Sequence, residues 1–203
     1  MDNRVNLQGE EDVLSEDQGQ ILVRLARAVI GERLGMESHL IEKKILLEKV
    51  GQPEFSEKTG TFVTIHLNKK LKGCIGSLES SESIAEGVVK NAVNAAFHDP
   101  RFTPMTVDEL HGADIEVSVL SKPVPLVYKE SDEILSGLKQ DIHGVIIKKG
   151  RLQATFLPQV WHQLPEKKMF LEHLCKKAGL PAREWQKGTL EIFTYTVQSF
   201  EDL

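Results

Sequence analysis

The chain has 203 residues, of which 40% are hydrophobic and 27% charged, with a formal net charge of −5. That length buries a core without metals or disulfides, and no run reaches the roughly 18 apolar residues that a membrane span needs. The acidic balance argues against a surface built to grip phosphate backbones, so nucleic acid is not the expected partner.

Residues 1–14 are acidic and poor in apolar side chains, and they read as a disordered tail. They lack the basic and apolar pattern of a secretory leader, which places the chain in the cytoplasm. Cys74 and Cys175 lie far apart in different kinds of element, as suits two reduced thiols. Folded structure is expected from Ser15, where "SEDQ" matches a capping box and Ile21, Leu22, Leu25, Ala26, Val29 and Ile30 follow at helical spacing. This helix ends near Gly35, and "HLIEKKILLEKVG" makes a second one closed by Gly51.

The period then changes from helical to alternating. "GTFVTIHL" and "LKGCIG" read as a hairpin closed around "NKK", with the odd-numbered apolar residues Val63, Ile65, Leu67, Leu71 and Ile75 facing one core. A three-residue loop pairing Leu67 with Leu71 sets Thr64 opposite Cys74 and His66 opposite Lys72. His66 then lies diagonal to Cys74, at the roughly 7 Å expected of diagonal neighbours.

A helix follows from Ser83 to Phe97, stopped before Pro100, and "TVDEL" offers a further capping box ahead of the strand "DIEVSVLS". Pro123 and Pro125 end that run. "SDEILSGL" is a short helix, "HGVIIKKGRLQATFL" a second hairpin, "LPQVWHQL" and "EKKMFLEHLCKKAG" are helical, and "TLEIFTYTVQSF" is one long closing strand. Hairpins mixed with helices, without regular βαβ alternation, give an α+β class with a mainly antiparallel sheet. Residues 15–203 form the domain, with a division into two closely joined subdomains near 123–131.

Read in order, "GTFVTI", "LKGCIGSLE", "AAFHDPRF", "IEVSVLS", "HGVII", "FLPQVW" and "FLEHLCKKAGL" resemble the AMMECR-type domain over roughly residues 18–201. This family takes its name from the Alport, midface hypoplasia and elliptocytosis chromosomal region. The resemblance implies an α+β fold in two subdomains with the Gly-Cys-Ile-Gly motif as functional centre. It also implies Memo-like and radical-SAM proteins as partners, with which prokaryotic members are associated. Where the family usually carries arginine before that motif, this chain has Lys72, which keeps the charge but not the bidentate fork.

The candidate chemistry centres on Cys74. In one reading Lys72 favours the thiolate, Gly73 and Gly76 let a substrate or another backbone come close, and His66 accepts the thiol proton. In the other, a free cysteine fills a small space and the glycines mark tight packing. Asp99 suits the end of a helix, and Arg101 either pairs with it or binds an anion with its planar fork. Glu116 shares a strand face with Ser118 and serves as an acid or base if it points into a cleft; His143 is a turn histidine or a proton carrier. No zinc motif, G-x-G-x-x-G or P-loop occurs, so neither a metal nor a cofactor is expected. Two functions follow: a thiol-dependent enzyme or enzyme component using Cys74, or a non-catalytic binding or scaffold module for a protein or nucleic-acid partner.

Overall fold

Ser15 opens the first helix as its sequence predicts. Its hydroxyl accepts from the Gln18 N–H while the Gln18 side chain accepts from the Ser15 N–H, closing the capping box of α1 (Glu16–Arg33). The computed structural model describes residues 14–78 and 81–202. The expected tail therefore lies outside the described residues except for Leu14, which is 3% exposed and exchanges two hydrogen bonds with the Gln198 side chain. Leu14 belongs to the core because its apolar side chain and backbone both find partners there.

After α2 (Glu37–Lys49), the strands β1 (Thr61–Leu67) and β2 (Lys70–Ser77) form the expected hairpin. Then come α3 (Ile84–Phe97), α4 (Val107–His111) and β3 (Ala113–Leu120). Ser83 and Thr106 close reciprocal capping boxes with Glu86 and Glu109, so two orphan N–H groups at each helix start are satisfied locally. The chain continues through β4 (Val124–Pro125), α5 (Ser131–Gly137), β5 (Gly144–Lys149), β6 (Leu152–Phe156), α6 (Lys167–Lys177), β7 (Glu191–Tyr195) and β8 (Val197–Glu201). "LPQVWHQL" forms a 3₁₀ turn over Pro158–His162. The α+β class stands, as two antiparallel four-stranded sheets ordered β2-β1-β3-β8 and β4-β7-β5-β6.

The expected long closing strand is two strands in two sheets. Thr196 interrupts it, its N–H donating to Ser121 Oγ at 2.9 Å and its carbonyl accepting from the Ser121 N–H at 3.0 Å. Contacts divide the chain at the same places: one unit holds residues up to Leu120 and from Gln198 on, the other Ser121–Val197.

In the first unit the inward row Val63, Ile65, Ile115, Val117 and Val119 packs with Leu22, Leu25 and Val29 of α1 and Val88, Ala92 and Ala95 of α3 in one buried cluster. In the second, Val145, Ile147 and Ile192 pack with Trp161, Phe170, Leu174, Cys175 and Trp185. The sheet in each unit thus has one committed apolar face. In the first unit, the opposite face carries the candidate site.

Candidate functional site

Asn68 and Lys69 close the β1–β2 hairpin with φ of +52° and +62°. Two successive residues in the left-handed region make a two-residue turn whose twist matches that of the strands. Leu67 consequently pairs with Lys70 and His66 with Leu71, not with Lys72. Left uncorrected, this register would set Cys74 opposite Val63 on the core face and turn Ile75 outward. Lys72 absorbs the shift as the extra residue of a β-bulge, after which Ile65 pairs with Gly73 and Thr64 with Cys74. The expected Thr64–Cys74 opposition is therefore present for a different reason. The two-residue turn also places Leu71 outward opposite His66, 40% exposed, where the sequence puts it in the core.

Lys72 is bound by a carboxylate and a hydroxyl. Its Nζ donates to Glu109 Oε1 at 2.6 Å and to Thr103 Oγ1 at 3.2 Å, with only 13% of its side chain exposed. The Lys72 hydrogen bond holds the Glu109 carboxyl below its usual range. Glu109 reads in the sequence only as a capping residue, and 37 positions of separation leave no local pattern to reveal its second role.

Asp99 and Arg101 are bound to each other and to the Cys74 backbone. Arg101 Nε and Nη2 donate to Asp99 Oδ1 and Oδ2 at 2.9 and 2.7 Å. Asp99 Oδ2 accepts from the Cys74 N–H at 3.0 Å, and Arg101 Nη2 donates to the Cys74 carbonyl at 3.0 Å. β2 is an edge strand, and edges leave backbone groups open to a further strand. Here the ion pair satisfies both groups of Cys74 as a neighbouring strand would. Hydrogen bonds from Arg101, helped by the Cys74 N–H, hold the buried Asp99 carboxyl well below the usual carboxylate range, and the same pairing raises Arg101.

The glycines serve close packing within the protein. A Cβ on Gly73 would lie 2.1 Å from the Ala95 carbonyl oxygen of α3, and one on Gly76 would meet the Phe62 ring at 2.3 Å. Gly73 thus admits another backbone, one of the two partners that the sequence allows it.

Cys74 itself is a half-buried free thiol. Among the described residues its sulfur has one hydrogen-bond partner, Thr64 Oγ1, which donates at 3.4 Å. Thr64 is also opposite Glu116, so Cys74, Thr64 and Glu116 form a row across β2, β1 and β3. Strand spacing puts the two ends of that row about 10 Å apart at Cα. Glu116 accepts from Ser118 Oγ at 3.0 Å, and His66 faces Asp114. No base hydrogen-bonds to the thiol among the described residues. His143 lies in the other unit, buried, its Nδ1 accepting from the Lys139 N–H, its carbonyl accepting from Trp161 Nε1 at 2.8 Å.

A groove of about 320 Å³ runs beside this row, lined by His66, Lys69, Asp114, Glu116, Glu201 and Asp202. Asp202 is engaged by Arg27 and the Ile115 N–H, whereas Asp114, Glu116 and Glu201 have no cationic partner among the described residues. The sequence reading missed Asp114 and Glu201 because they meet only through the β1–β3–β8 pairing. Among the described residues no three His, Cys, Asp or Glu are grouped to hold a metal ion. Among the described residues no helix is long and apolar enough to cross a membrane.

Two antiparallel sheets, one edged by a Gly-Cys-Ile-Gly strand that an Asp-Pro-Arg turn clamps, define the class of protein. The AMMECR1 family model matches residues 23–200, and the chain belongs to that family. It is 37% identical to protein MJ0810 of Methanocaldococcus jannaschii, over 94% of this chain and 93% of that one. It is 36% identical to protein MK0488 of Methanopyrus kandleri, covering 93% and 90%. The crystal structure of uncharacterized protein PH0010 from Pyrococcus horikoshii superposes with a TM-score of 0.73, at 30% identity and 94% coverage of both chains.

Proposed function

We propose that this chain is a protein-binding module whose recognition surface is the outward face of the sheet β2-β1-β3-β8, and that Cys74 is part of that surface and not a catalytic thiol. One observation carries the reading: the charged groups around Cys74 are spent on one another. Lys72 is held by Glu109, Arg101 by Asp99 and the Cys74 carbonyl, and the sulfur meets a hydroxyl in place of a base. A thiol nucleophile needs a base within hydrogen-bond reach, about 3 Å or one water away.

The groove carboxylates Asp114, Glu116 and Glu201 favour a segment bearing lysine or arginine and repel phosphates. Family association makes Memo-like and radical-SAM proteins the candidate partners. Two free thiols suit a reducing compartment, the cytoplasm.

The test is quantitative mass spectrometry of Memo-like and radical-SAM proteins co-purified with the wild type, Cys74→Ser and Asp114→Lys/Glu116→Lys. Cys74→Ser is expected to retain the wild-type partner, and the charge reversal to lose it by about tenfold or more. A partner lost with the sulfur but kept by the charge reversal supports the thiol-dependent function instead.

A further inference from the structure

The groove beside the sheet face contains a histidine, the side chain type whose charge changes near neutral pH. His66 lies near the end of β1, half-buried, directly opposite Asp114 of β3, so the two side chains start about 5 Å apart at Cβ. Neither makes a hydrogen bond or an ion pair among the described residues. Each element around the imidazole contributes differently to the charge it meets. β2 sets the uncharged Leu71 on its other side, and the next residue, Lys72, is held by Glu109. The β1–β2 turn supplies Lys69, exposed and without an ionic partner among the described residues. β3 supplies Asp114 and, two positions along the same face, Glu116, while β8 supplies Glu201. Asp202 follows, already paired with Arg27 of α1. Among the described residues, one unpaired cation of the lining therefore faces three unpaired carboxylates while His66 is neutral, and two cations face them once it is protonated.

We propose that His66 is a pH-operated competitor for this groove: its imidazolium takes up the Asp114 carboxylate that a basic partner segment needs, so that the partner is released on acidification. The inference rests on the reading of the groove as a site for a lysine- or arginine-bearing segment, and it adds the regulation of that site. Two effects act in the same direction. Protonation places a like charge beside the incoming cation, which repels it. The imidazolium also pairs with Asp114 from within the same sheet, whereas the partner must give up translational freedom to reach the same carboxylate. Linkage requires the converse, that a bound basic segment keeps His66 neutral, so binding to the protonated protein releases a proton. Between about pH 7.5 and 5.5 ordinary carboxylates and lysines keep their charge while histidine changes, which separates this effect from titration of the groove acids.

NMR titration of the full chain with N-acetylated, C-amidated pentalysine tests it, at about 50 mM salt to limit screening. The dissociation constant is expected to rise about fivefold from about pH 7.5 to about pH 5.5, the scale of one added charge in a partly solvated groove. In His66→Gln the change over the same interval should be less than about 1.5-fold, because no charge appears there. His66→Lys, which fixes the charge, should bind weakly and equally at both values. Asp114→Lys/Glu116→Lys, measured at the higher pH, separates the two readings. Pentalysine that does not bind the wild type, or binds that variant as tightly, overturns the groove reading and the competitor with it. Binding that the charge reversal abolishes, but that does not weaken on acidification or keeps its pH dependence in His66→Gln, overturns the competitor alone.

Discussion

Gly73→Ala is expected to destabilise the first unit by about 3 kcal/mol, at the upper end of what overpacking costs. The added Cβ meets the Ala95 carbonyl oxygen at 2.1 Å and its carbonyl carbon at 2.9 Å, both backbone atoms of α3. No side chain can rotate away, so α3 and β2 must separate by about 1 Å to restore van der Waals contact. That movement opens the cluster of Val88, Ala92 and Ala95 against Val63 and Ile65. It also draws Asp99, just beyond the end of α3, away from the Cys74 N–H. Urea unfolding should show a lower midpoint with an unchanged slope. A loss below about 1 kcal/mol would mean that the helix approaches the strand less closely than described here.

Trp161→Ala should cost the second unit more, about 3–5 kcal/mol. The indole is 1% exposed, stacks on Phe170 with centroids 3.6 Å apart and an interplanar angle of 6°, and donates from Nε1 to the His143 carbonyl at 2.8 Å. Alanine removes the ring from between α6 and the turn that precedes β5, and it takes away a donor to a buried carbonyl. Trp161→Phe keeps most of the stacking but not the N–H, and is expected to lose about 1–2 kcal/mol, the scale of one buried hydrogen bond with a small cavity. Denaturant midpoints of the two variants measure both terms. Equal losses in the two would assign the whole effect to the hydrogen bond.

Much of the frame was legible in the sequence because its signals are local. The capping boxes at Ser15, Ser83 and Thr106 lie within four residues of chain, and the alternation of Val63 and Ile65 against Thr64 and His66 is visible in eight. The bulge at Lys72 was not legible. An alternating pattern fixes which residues share a face, but an unpaired residue can be inserted anywhere that loop and strand lengths balance. The break at Thr196 escaped for a related reason, since β7 and β8 each alternate and the pattern runs on across the point where the chain changes sheets.

The candidate residues can be named from the sequence, but their partners cannot. Asp99 and Arg101 meet each other and the Cys74 backbone, while Lys72 meets Glu109 and Thr103. Contacts spanning 25 to 37 positions depend on how α3 and α4 lie against β2. His143 shows the limit most plainly: its Gly-flanked position reads equally as turn or proton carrier, and the fold places it in the unit that does not contain Cys74.

Asp99 and Arg101 act as a surrogate strand for the edge of β2, and amide hydrogen exchange at Cys74 measures this directly. In the wild type the Cys74 N–H is expected to be protected like the interior amides of β1, despite its place on an outer strand. In Asp99→Ala it should exchange at least about tenfold faster while the amide of Val117 in β3 keeps its protection. A Cys74 amide that exchanges freely in the wild type, or equally slowly in both proteins, would contradict the clamp and leave Asp99 and Arg101 available for a ligand.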